Sequence, residues 1–557
     1  MNHRIAVGFA ASAASMVLAL ATGLGSNAGA AGVKTGGTLY TAMPWGTIAD
    51  NFNPFLPSGS NAGGTLSAIY EPLFYDNSVN GQLVPLLGTG YKWEDHNLKL
   101  VITTRSGVKW TDGTSFTAQD VAFTFNYLRK YPVLDLSRIW STGLTSVTAS
   151  GPNTVTFTFA KANTPAFFYI AGQAVVPAHI WSKVNNPSTF TNPHPVGTGP
   201  FTLQSFSPYV VKYVKNPHYW MSGRPYIHAL VIEAVKSNDT SLFDILKHNI
   251  QFTYTAITDV AKTFAARNPA VNHYWWPVNN TNLLYMNTQE SPFSSTAFRR
   301  AVAEALNTKL IATRAYYGAI GPANQAALVP GQVKEWFNPA LKHLEYRYSP
   351  ALAKQTLKKA GFKWTSTHQL ESARGNPLPS FRILVGAGWT DFITMAQVIS
   401  NELQAIGIST TIDQEPWGTY ESSLLTGRYD MAICWGAGSG PTPYYDYEQS
   451  LGSQYSAKQI GQVAVSDWSR FTRPAIDQAL QSFRQTSNLA VQKRDLTTVA
   501  RIILSEVPFV PLTNRPNFFD YQTATFVGFP NAHDPYNAGD PPDASGAELM
   551  YTQVHLK

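Results

Sequence analysis

Acidic side chains are the first candidates for chemistry, because two convergent carboxylates can cleave a glycosidic bond. Asp413, Glu415 and Glu421 are close together in the sequence, but their spacing does not show convergence, and we interpret them as ordinary surface acids. The sequence has no H-E-x-x-H, C-x-x-C or Walker A motif, and no G-x-G-x-x-G follows a strand. Ser439 lies in a glycine-rich stretch, but Ala437 stands where a nucleophile elbow requires glycine. No familiar class of enzyme is indicated.

Metal and nucleic-acid chemistry are also disfavoured. The 12 histidines are scattered, and no two are three or four residues apart, so no helix face presents a metal-binding pair. The net charge of +7 is spread over 557 residues without a block of basic residues, which argues against a nucleic-acid partner. Charged residues make up 13% of the chain, whereas 14 Trp and 27 Tyr are present. This composition suits small ligands that are stacked and hydrogen-bonded, and we predict no cofactor.

The N-terminus has the layout of a secretory signal peptide. His3 and Arg4 supply positive charge, residues 5–24 are apolar, and Ala28-Gly29-Ala30 provides a cleavage site. We expect cleavage after Ala30 or Ala31; an uncleaved membrane helix is the alternative, since about 20 apolar residues can span a bilayer. No cysteine lies nearby, so we expect an exported protein, periplasmic or extracellular, without a lipid anchor. The single cysteine, Cys434, lies in an apolar run and is predicted to be buried and inert.

Helix and strand signals alternate along the chain and predict an α/β protein with several domains. The capping box Thr117–Asp120 opens a helix to Lys130, and Ser349-Pro350 opens another that ends near Gly361. Helices are also predicted over 391–406 and 294–316, the latter with an apolar stripe of Phe298, Val302, Leu306 and Leu310. Strands are predicted over 98–102, 154–159 and 408–412.

Six segments, in order from about residue 36 to about 530, resemble the family 5 extracellular solute-binding proteins that serve ABC importers. The segments are Gly36-Gly37-Thr38-Leu39 with Asn53-Pro54-Phe55, then Ile69-Tyr70-Glu71-Pro72-Leu73-Phe74, then 98–125, then Gly197-Thr198-Gly199-Pro200-Phe201 with Asn216-Pro217-His218-Tyr219-Trp220, then Tyr285-Met286-Asn287 with 292–302, and Val507-Pro508-Phe509-Val510-Pro511-Leu512. The third, which contains Arg105-Ser106-Gly107-Val108-Lys109-Trp110, is similar to the family's signature segment. The resemblance implies a binding protein, not an enzyme.

The resemblance also implies a fold and a domain organisation. We expect a two-lobed periplasmic-binding-protein-like α/β fold with hinge strands and an extra domain on the N-terminal lobe. The signal peptide would occupy 1–31, lobe one 32–66, 191–282 and 511–557, the extra domain 67–190, and lobe two 283–510. The crossing strands would lie near 283–287 and 509–513. A ligand between the lobes would favour the closed form, which a membrane-embedded ABC permease could recognise; we expect a monomer.

The expected ligand follows from a departure from the family pattern. Peptide-binding members have an acidic residue shortly after the strand that corresponds to 429–434, whereas this chain has no acid over 435–445. The stretch Gly440-Pro441-Thr442-Pro443 instead resembles the oligosaccharide-binding branch, where aromatic rings stack on sugars. The predicted ligand-binding residues are Trp45, Trp389, Trp417, Trp435, Gly438, Ser439, Tyr444 and Tyr445.

Several functions stay open at this point. An oligopeptide ligand follows if another acid serves the peptide ammonium, and nickel or another solute is a further alternative. A secreted glycan hydrolase with an aromatic cleft would need two carboxylates close in space. A sensor that presents its ligand to a receptor is a third class, and the sequence does not distinguish it from an importer component.

Overall fold

The structure is a computed structural model that describes residues 32–557 except Ala437 and Ser439. The predicted signal peptide therefore lies outside the described residues. Among the helices of the described chain, none combines the length and apolar character needed to span a bilayer.

Strands and helices are mixed throughout the described residues. The strands are β1 Thr38–Met43, β2 Phe74–Asn77, β3 Gln82–Pro85, β4 Gly88–Glu94, β5 Lys99–Thr104, β6 Leu144–Ala149, β7 Thr154–Phe159, β8 Phe201–Ser207, β9 Val210–Lys215, β10 Ala229–Ala234, β11 Phe252–Tyr254, β12 Asn272–Trp275, β13 Val278–Met286, β14 Lys363–Trp364, β15 Leu370–Glu371, β16 Phe381–Gly386, β17 Thr410–Glu415, β18 Met431–Trp435, β19 Phe509–Pro516, β20 Phe519–Gln522, β21 Phe526–Val527 and β22 His555–Leu556. The α-helices are α1 Ala118–Lys130, α2 Ala166–Gly172, α3 Ala178–Trp181, α4 Asn238–Leu246, α5 Val260–Thr263, α6 Thr296–Ala305, α7 Thr308–Tyr316, α8 Pro330–Trp336, α9 Pro350–Lys359, α10 Thr390–Gln404, α11 Trp417–Thr426, α12 Pro443–Leu451, α13 Pro474–Arg484, α14 Leu489–Glu506 and α15 Ala547–Gln553.

Two large sheets form the centres of two lobes. The sheet of lobe one has the order β12-β20-β11-β1-β10-β9-β8, with β1 parallel to both β10 and β11. The sheet of lobe two has the order β17-β16-β18-β13-β19. Its strand β16 is parallel to β17 and β18, whereas β13 runs antiparallel to its neighbours. The apolar end of β13, Leu283–Met286, is buried, as expected for a strand with both faces covered.

The chain crosses between the sheets twice. It leaves lobe one at 276–277, between β12 and β13, and returns at 517–518, between β19 and β20. The strands expected to cross, near 283–287 and 509–513, correspond to β13 and β19, which pair within the sheet of lobe two. The two linkers lie about six to seven residues outside the lobe boundaries expected from sequence. We therefore keep the division into lobes as a proposal, with its boundaries moved to these two linkers.

A four-stranded antiparallel sheet, β4-β5-β7-β6, forms the centre of the proposed extra domain. Helix α1 packs on it and begins at the predicted capping box, where the Asp120 carboxylate accepts from the Thr117 backbone N–H at 2.9 Å. Strand β7 alternates between buried and half-buried residues over the range predicted from sequence. Local signals therefore suffice for this part of the fold.

The single helix predicted over 294–316 is wrong, because the chain forms α6 and α7 with a break at Leu306-Asn307. Leu306 has an extended backbone, and the Asn307 side chain caps α7 by accepting from the Leu310 N–H at 3.1 Å. Leu310 consequently leaves the apolar stripe and is 37% exposed.

Cys434 is buried in β18, as predicted. Burial raises the pKa of its thiol to about 12, so the reactive thiolate is suppressed.

Two carboxyl groups, Glu71 and Glu548, meet where the extra domain joins lobe one, and they are 0% and 1% exposed. The Tyr219 hydroxyl donates to Glu548 at 2.9 Å, and Trp220 Nε1 donates to Glu71 at 2.7 Å. Burial raises the pKa of both groups, and the neighbouring Glu71 charge raises that of Glu548 further. Folding therefore favours the protonated form of this pair.

This pair predicts a loss of stability at high pH. Its pKa values in the folded protein lie above the ordinary value of 4.5, so its contribution is complete below that pH and is lost as pH rises through the folded-state pKa. We expect Glu548→Gln, which cannot ionise, to make the decline in unfolding free energy shallower, by at most about 1.4 kcal/mol per pH unit. Denaturant unfolding between pH 4.5 and 9 measures this slope. Glu335→Gln, at an exposed carboxylate 3.7 Å from Lys493, is the control. If the unfolding free energies of wild type and Glu548→Gln fall in parallel with pH, the assignment of this pH dependence to Glu548 is contradicted.

Candidate ligand-binding site

Three tryptophans of lobe two meet at one edge of its sheet. Trp389 follows β16, Trp417 follows β17, and Trp435 ends β18. These strands are parallel neighbours, so their carboxyl ends share an edge, which is where open α/β sheets bind ligands. The ring centroids lie 5.6 to 6.0 Å apart, with interplanar angles of 33 to 36°. We name Trp389, Trp417 and Trp435 the tryptophan cluster.

A cavity of about 220 Å³ lies beside this cluster, between lobe two and the extra domain. Its aromatic wall comes from lobe two and comprises Trp417, Tyr420, Trp435 and Trp468. Its polar lining includes Glu421, Gln449 and Ser466, and the extra domain contributes Leu136 and Ser137. The cavity thus combines flat apolar faces with a few hydrogen-bonding groups, the usual composition of a small-molecule site.

Lobes one and two touch around the cluster. Trp389 Nε1 donates to the Pro44 carbonyl at 2.9 Å, and the Gly59 N–H donates to Glu421 Oε1 at 3.0 Å. The Asn238 N–H donates to the Gly388 carbonyl at 3.0 Å. These bonds join lobe-one backbone to lobe two, so the lobes are closed in this structure.

Gly388 belongs to this contact for a steric reason. Its φ is +77°, and a Cβ atom there would lie 2.2 Å from the Lys236 carbonyl oxygen of lobe one. The close approach of the two backbones therefore requires a residue without a side chain.

The other predicted site residues have different environments. Trp45 is buried in lobe one, where its ring packs on Gly63. Tyr444 is buried in lobe two; its ring stacks on Phe483 at 4.7 Å and its hydroxyl donates to Glu448. We therefore keep neither Trp45 nor Tyr444 among the proposed ligand contacts.

Tyr445 and Gly438 lie near the site without lining the cavity. The Tyr445 ring lies 4.6 Å from that of Phe168 in the extra domain. The Gly438 carbonyl accepts from Asn280 Nδ2 at 3.2 Å, and a Cβ at Gly438 would meet the Tyr445 carbonyl oxygen at 2.4 Å. Both residues shape the loop that follows β18; Ser439 lies outside the described residues.

Glu421 is the main functional candidate that sequence reasoning missed. The interpretation of Glu421 as a surface acid is wrong, because it is 9% exposed, lines the cavity and contacts Gly59 of lobe one. A usable signal existed: Tyr420 and Glu421 follow Trp417 at three and four residues, so all three share a face of α11. The contributions of Leu136 and Ser137 had no comparable sequence signal.

Arg515 is a second site residue that the sequence analysis did not single out. It lies on β19, its guanidinium carbon is 4.8 Å from the Trp435 ring centroid, and Nη1 donates to the Tyr254 hydroxyl of lobe one at 3.1 Å. The arginine thus contacts both lobes beside the crossing strands. Within the described residues, no three His, Cys, Asp or Glu side chains are grouped as a metal site.

Comparisons with known proteins agree with this architecture. A glutathione-binding protein of Salmonella typhi is 26% identical over 330 residues, which cover 57% of this chain and 60% of that relative. The nickel-binding periplasmic protein of Escherichia coli is 24% identical over 482 residues, which cover 81% of this chain and 88% of the relative. A mannohexaose-bound periplasmic oligopeptide-binding protein from Thermotoga maritima superposes with a TM-score of 0.88 at 24% identity, covering 93% of this chain and 98% of that one.

The structural match confirms the predicted fold class, a two-lobed α/β protein of the periplasmic-binding type. Residues 82–458 match the family model described as bacterial extracellular solute-binding proteins, family 5 Middle, which confirms the resemblance found in the sequence. The chain belongs to the family 5 bacterial extracellular solute-binding proteins.

Proposed function

We propose that this protein binds an oligosaccharide between its lobes and delivers it to a membrane-embedded ABC permease. The tryptophan cluster carries this proposal, because indole faces stack on the apolar faces of pyranose rings. Gln449, Ser466 and Ser137 supply hydrogen-bonding groups around the same cavity. The mannohexaose bound to the Thermotoga maritima protein is consistent with a saccharide in this fold.

Transport requires that the ligand stabilise one arrangement of the lobes. Glu421, Trp389 and Gly388 contact lobe one in this closed structure, and separation of the lobes would break these contacts. A ligand that touches both lobes adds its contacts to that state and shifts the population towards it. We propose that the permease recognises the closed form of a monomeric protein exported to the periplasm or the extracellular space.

Hydrolysis of the glycan fits the site less well. Glu421 is the one carboxylate among the described residues that line the cavity, whereas most glycosidases use two. The closely spaced pair Glu71 and Glu548 is buried in the joint between the extra domain and lobe one. These observations support binding without bond cleavage.

An oligopeptide is the second candidate ligand. Glu421 favours it, because a buried carboxylate in the cavity could pair with a peptide α-ammonium group. The Salmonella typhi relative binds glutathione, which is a peptide-like solute. An oligopeptide would bring a charged α-ammonium group for the site to neutralise, whereas a neutral oligosaccharide would bring no charge.

A ligand panel separates the candidates. We expect cello-, xylo- or manno-oligosaccharides of two to six units to raise the thermal unfolding temperature of the mature protein saturably. At 100 times Kd the gain in stability is about 2.7 kcal/mol. Peptides of two to eight residues form the comparison arm, with Glu421→Gln tested against any peptide that binds. A rise with peptides alone would overturn the oligosaccharide proposal.

A further inference from the structure

Arg515 is only partly satisfied by the protein. Its single hydrogen bond among the described residues is the one from Nη1 to the Tyr254 hydroxyl, and its Nε is buried without an acceptor. No Asp or Glu oxygen in the described part of the chain lies within 4.0 Å of its nitrogens. A guanidinium group carries five N–H donors, so most of its donors have no acceptor among the described residues.

Other buried guanidinium groups in the same protein are treated differently. Arg299 donates to the carbonyls of Phe293, Glu506 and Val507 and to the Thr296 hydroxyl. The buried Arg470 donates to the carbonyls of Leu425, Gln459 and Gln462. Two half-buried arginines form ion pairs, Arg300 with Glu304 and Arg484 with Glu448. Arg138 and Arg470 also have a buried Nε without an acceptor among the described residues, so Arg515 is distinguished by its position between the lobes, where it contacts both Tyr254 and Trp435.

Two buried carboxyl groups interact electrostatically with Arg515 without forming an ion pair with it. Burial raises the pKa of Asp391 and Asp543 to about 6, and the charge of Arg515 lowers both values. These carboxyl groups therefore act on Arg515 through space, beyond ion-pair distance. They offset part of its charge but accept none of its hydrogen bonds.

We propose that Arg515 binds a carboxylate of the ligand and that the saccharide is acidic, carrying a uronate or a similar group. This inference rests on the proposed oligosaccharide function. A sugar hydroxyl could accept a hydrogen bond from Arg515 but would leave its charge unmatched, whereas a carboxylate matches both the charge and the planar fork.

The position of Arg515 supports this assignment. Its guanidinium group lies over Trp435, and the same indole lines the cavity. Trp435 thus connects the cavity with the cation, although Arg515 itself does not line the cavity. Tyr254 holds the guanidinium from the lobe-one side, so an anion bound there would join the lobes.

The test uses saccharides matched except for charge. Galacturonate and galactose oligomers, and mannuronate and mannose oligomers, are titrated calorimetrically into the mature protein at pH 7.5. We expect the acidic member of one pair to bind roughly 10- to 100-fold more tightly, the range for hydrogen bonds to a charged group. Arg515→Gln should remove this preference, so that the acidic and neutral members bind it with similar affinity, and Arg515→Lys should keep part of the preference. Arg374→Gln, at an exposed arginine of lobe two, controls for net charge.

The outcomes separate this inference from the proposed function. Equal affinity for neutral and acidic members in the wild type overturns the role of Arg515 but leaves an oligosaccharide binder. A loss of both affinities in Arg515→Gln, with unchanged thermal unfolding, assigns Arg515 a structural role instead. Binding of peptides and of no saccharide overturns the proposed function, and this inference with it. If Arg515→Gln does not fold, the role of Arg515 is still tested by the preference of the wild type for the acidic saccharide and by the part of it that Arg515→Lys keeps.

Discussion

Gly388→Ala is expected to weaken ligand binding roughly a hundredfold or more, whichever solute the protein takes. The new Cβ would lie 2.2 Å from the Lys236 carbonyl oxygen, a backbone atom that cannot move aside without separating the lobes. Overpacking of this kind costs about 3 kcal/mol, and the whole cost falls on the closed state. Calorimetric titration with the ligand found in the panel measures the loss in affinity. Small-angle scattering with saturating ligand should show fewer closed molecules than in wild type.

The matched control for this prediction is Gly375→Ala. Gly375 is also in lobe two, and its φ of +81° imposes a similar backbone strain on alanine, but a Cβ atom there would meet no surrounding atom within 4 Å. Both variants should lose stability through this strain, and only Gly388→Ala should lose affinity. Equal affinities for the two variants would mean that the lobes bind ligand without the approach seen here.

Trp417→Ala and Trp435→Ala are each expected to lower oligosaccharide affinity by about 2 to 3 kcal/mol, roughly 30- to 150-fold. Both indoles line the cavity and belong to the tryptophan cluster. Their removal would eliminate stacking area and leave space that the sugar must share with water. Isothermal titration with the best saccharide of the panel provides the measurement. Trp389 is less suitable for this test, because its indole N–H also bonds to Pro44 of lobe one.

Trp336→Ala serves as the control for the tryptophan variants. Trp336 is also in lobe two, but it ends helix α8 and packs near Phe483, away from the cavity lining. We expect its loss to affect stability and not affinity. If Trp417→Ala and Trp435→Ala bind the saccharide as tightly as Trp336→Ala does, the tryptophan cluster is not the sugar platform.

Sequence reasoning succeeded where a structure depends on neighbouring residues. Thr117 and Asp120 cap α1 with groups three residues apart, and the alternation over 154–159 produces β7. It failed at Asn307, because the helical periodicity of 294–316 outweighed a cap that could begin a second helix. A continuous apolar stripe therefore does not exclude a short break when a capping side chain is present.

The site was only partly predictable for a different reason. Trp389, Trp417 and Trp435 could be named from the sequence, but their convergence depends on the order of parallel strands β16, β17 and β18 in the sheet. Glu421 is buried by contact with Gly59, which is 362 residues away in the sequence. Arg515 gave no local signal, since its proposed role depends on contacts with Tyr254 and Trp435, which are far from it in the sequence.

The position of β20 has a consequence for the order of assembly during synthesis. All strands of the lobe-two sheet lie within 278–516, a continuous stretch of chain. The lobe-one sheet needs β20, which lies between β11 and β12 and comes from Phe519–Gln522. The lobe-two sheet is completed by β19 and the lobe-one sheet by β20, so the earlier-made strands of both sheets wait for nearly the whole polypeptide. Long-range pairing of this kind is slow, so the lobe-one sheet stays incomplete until translation is almost finished, whereas the sheet β4-β5-β7-β6 has all its strands by residue 159.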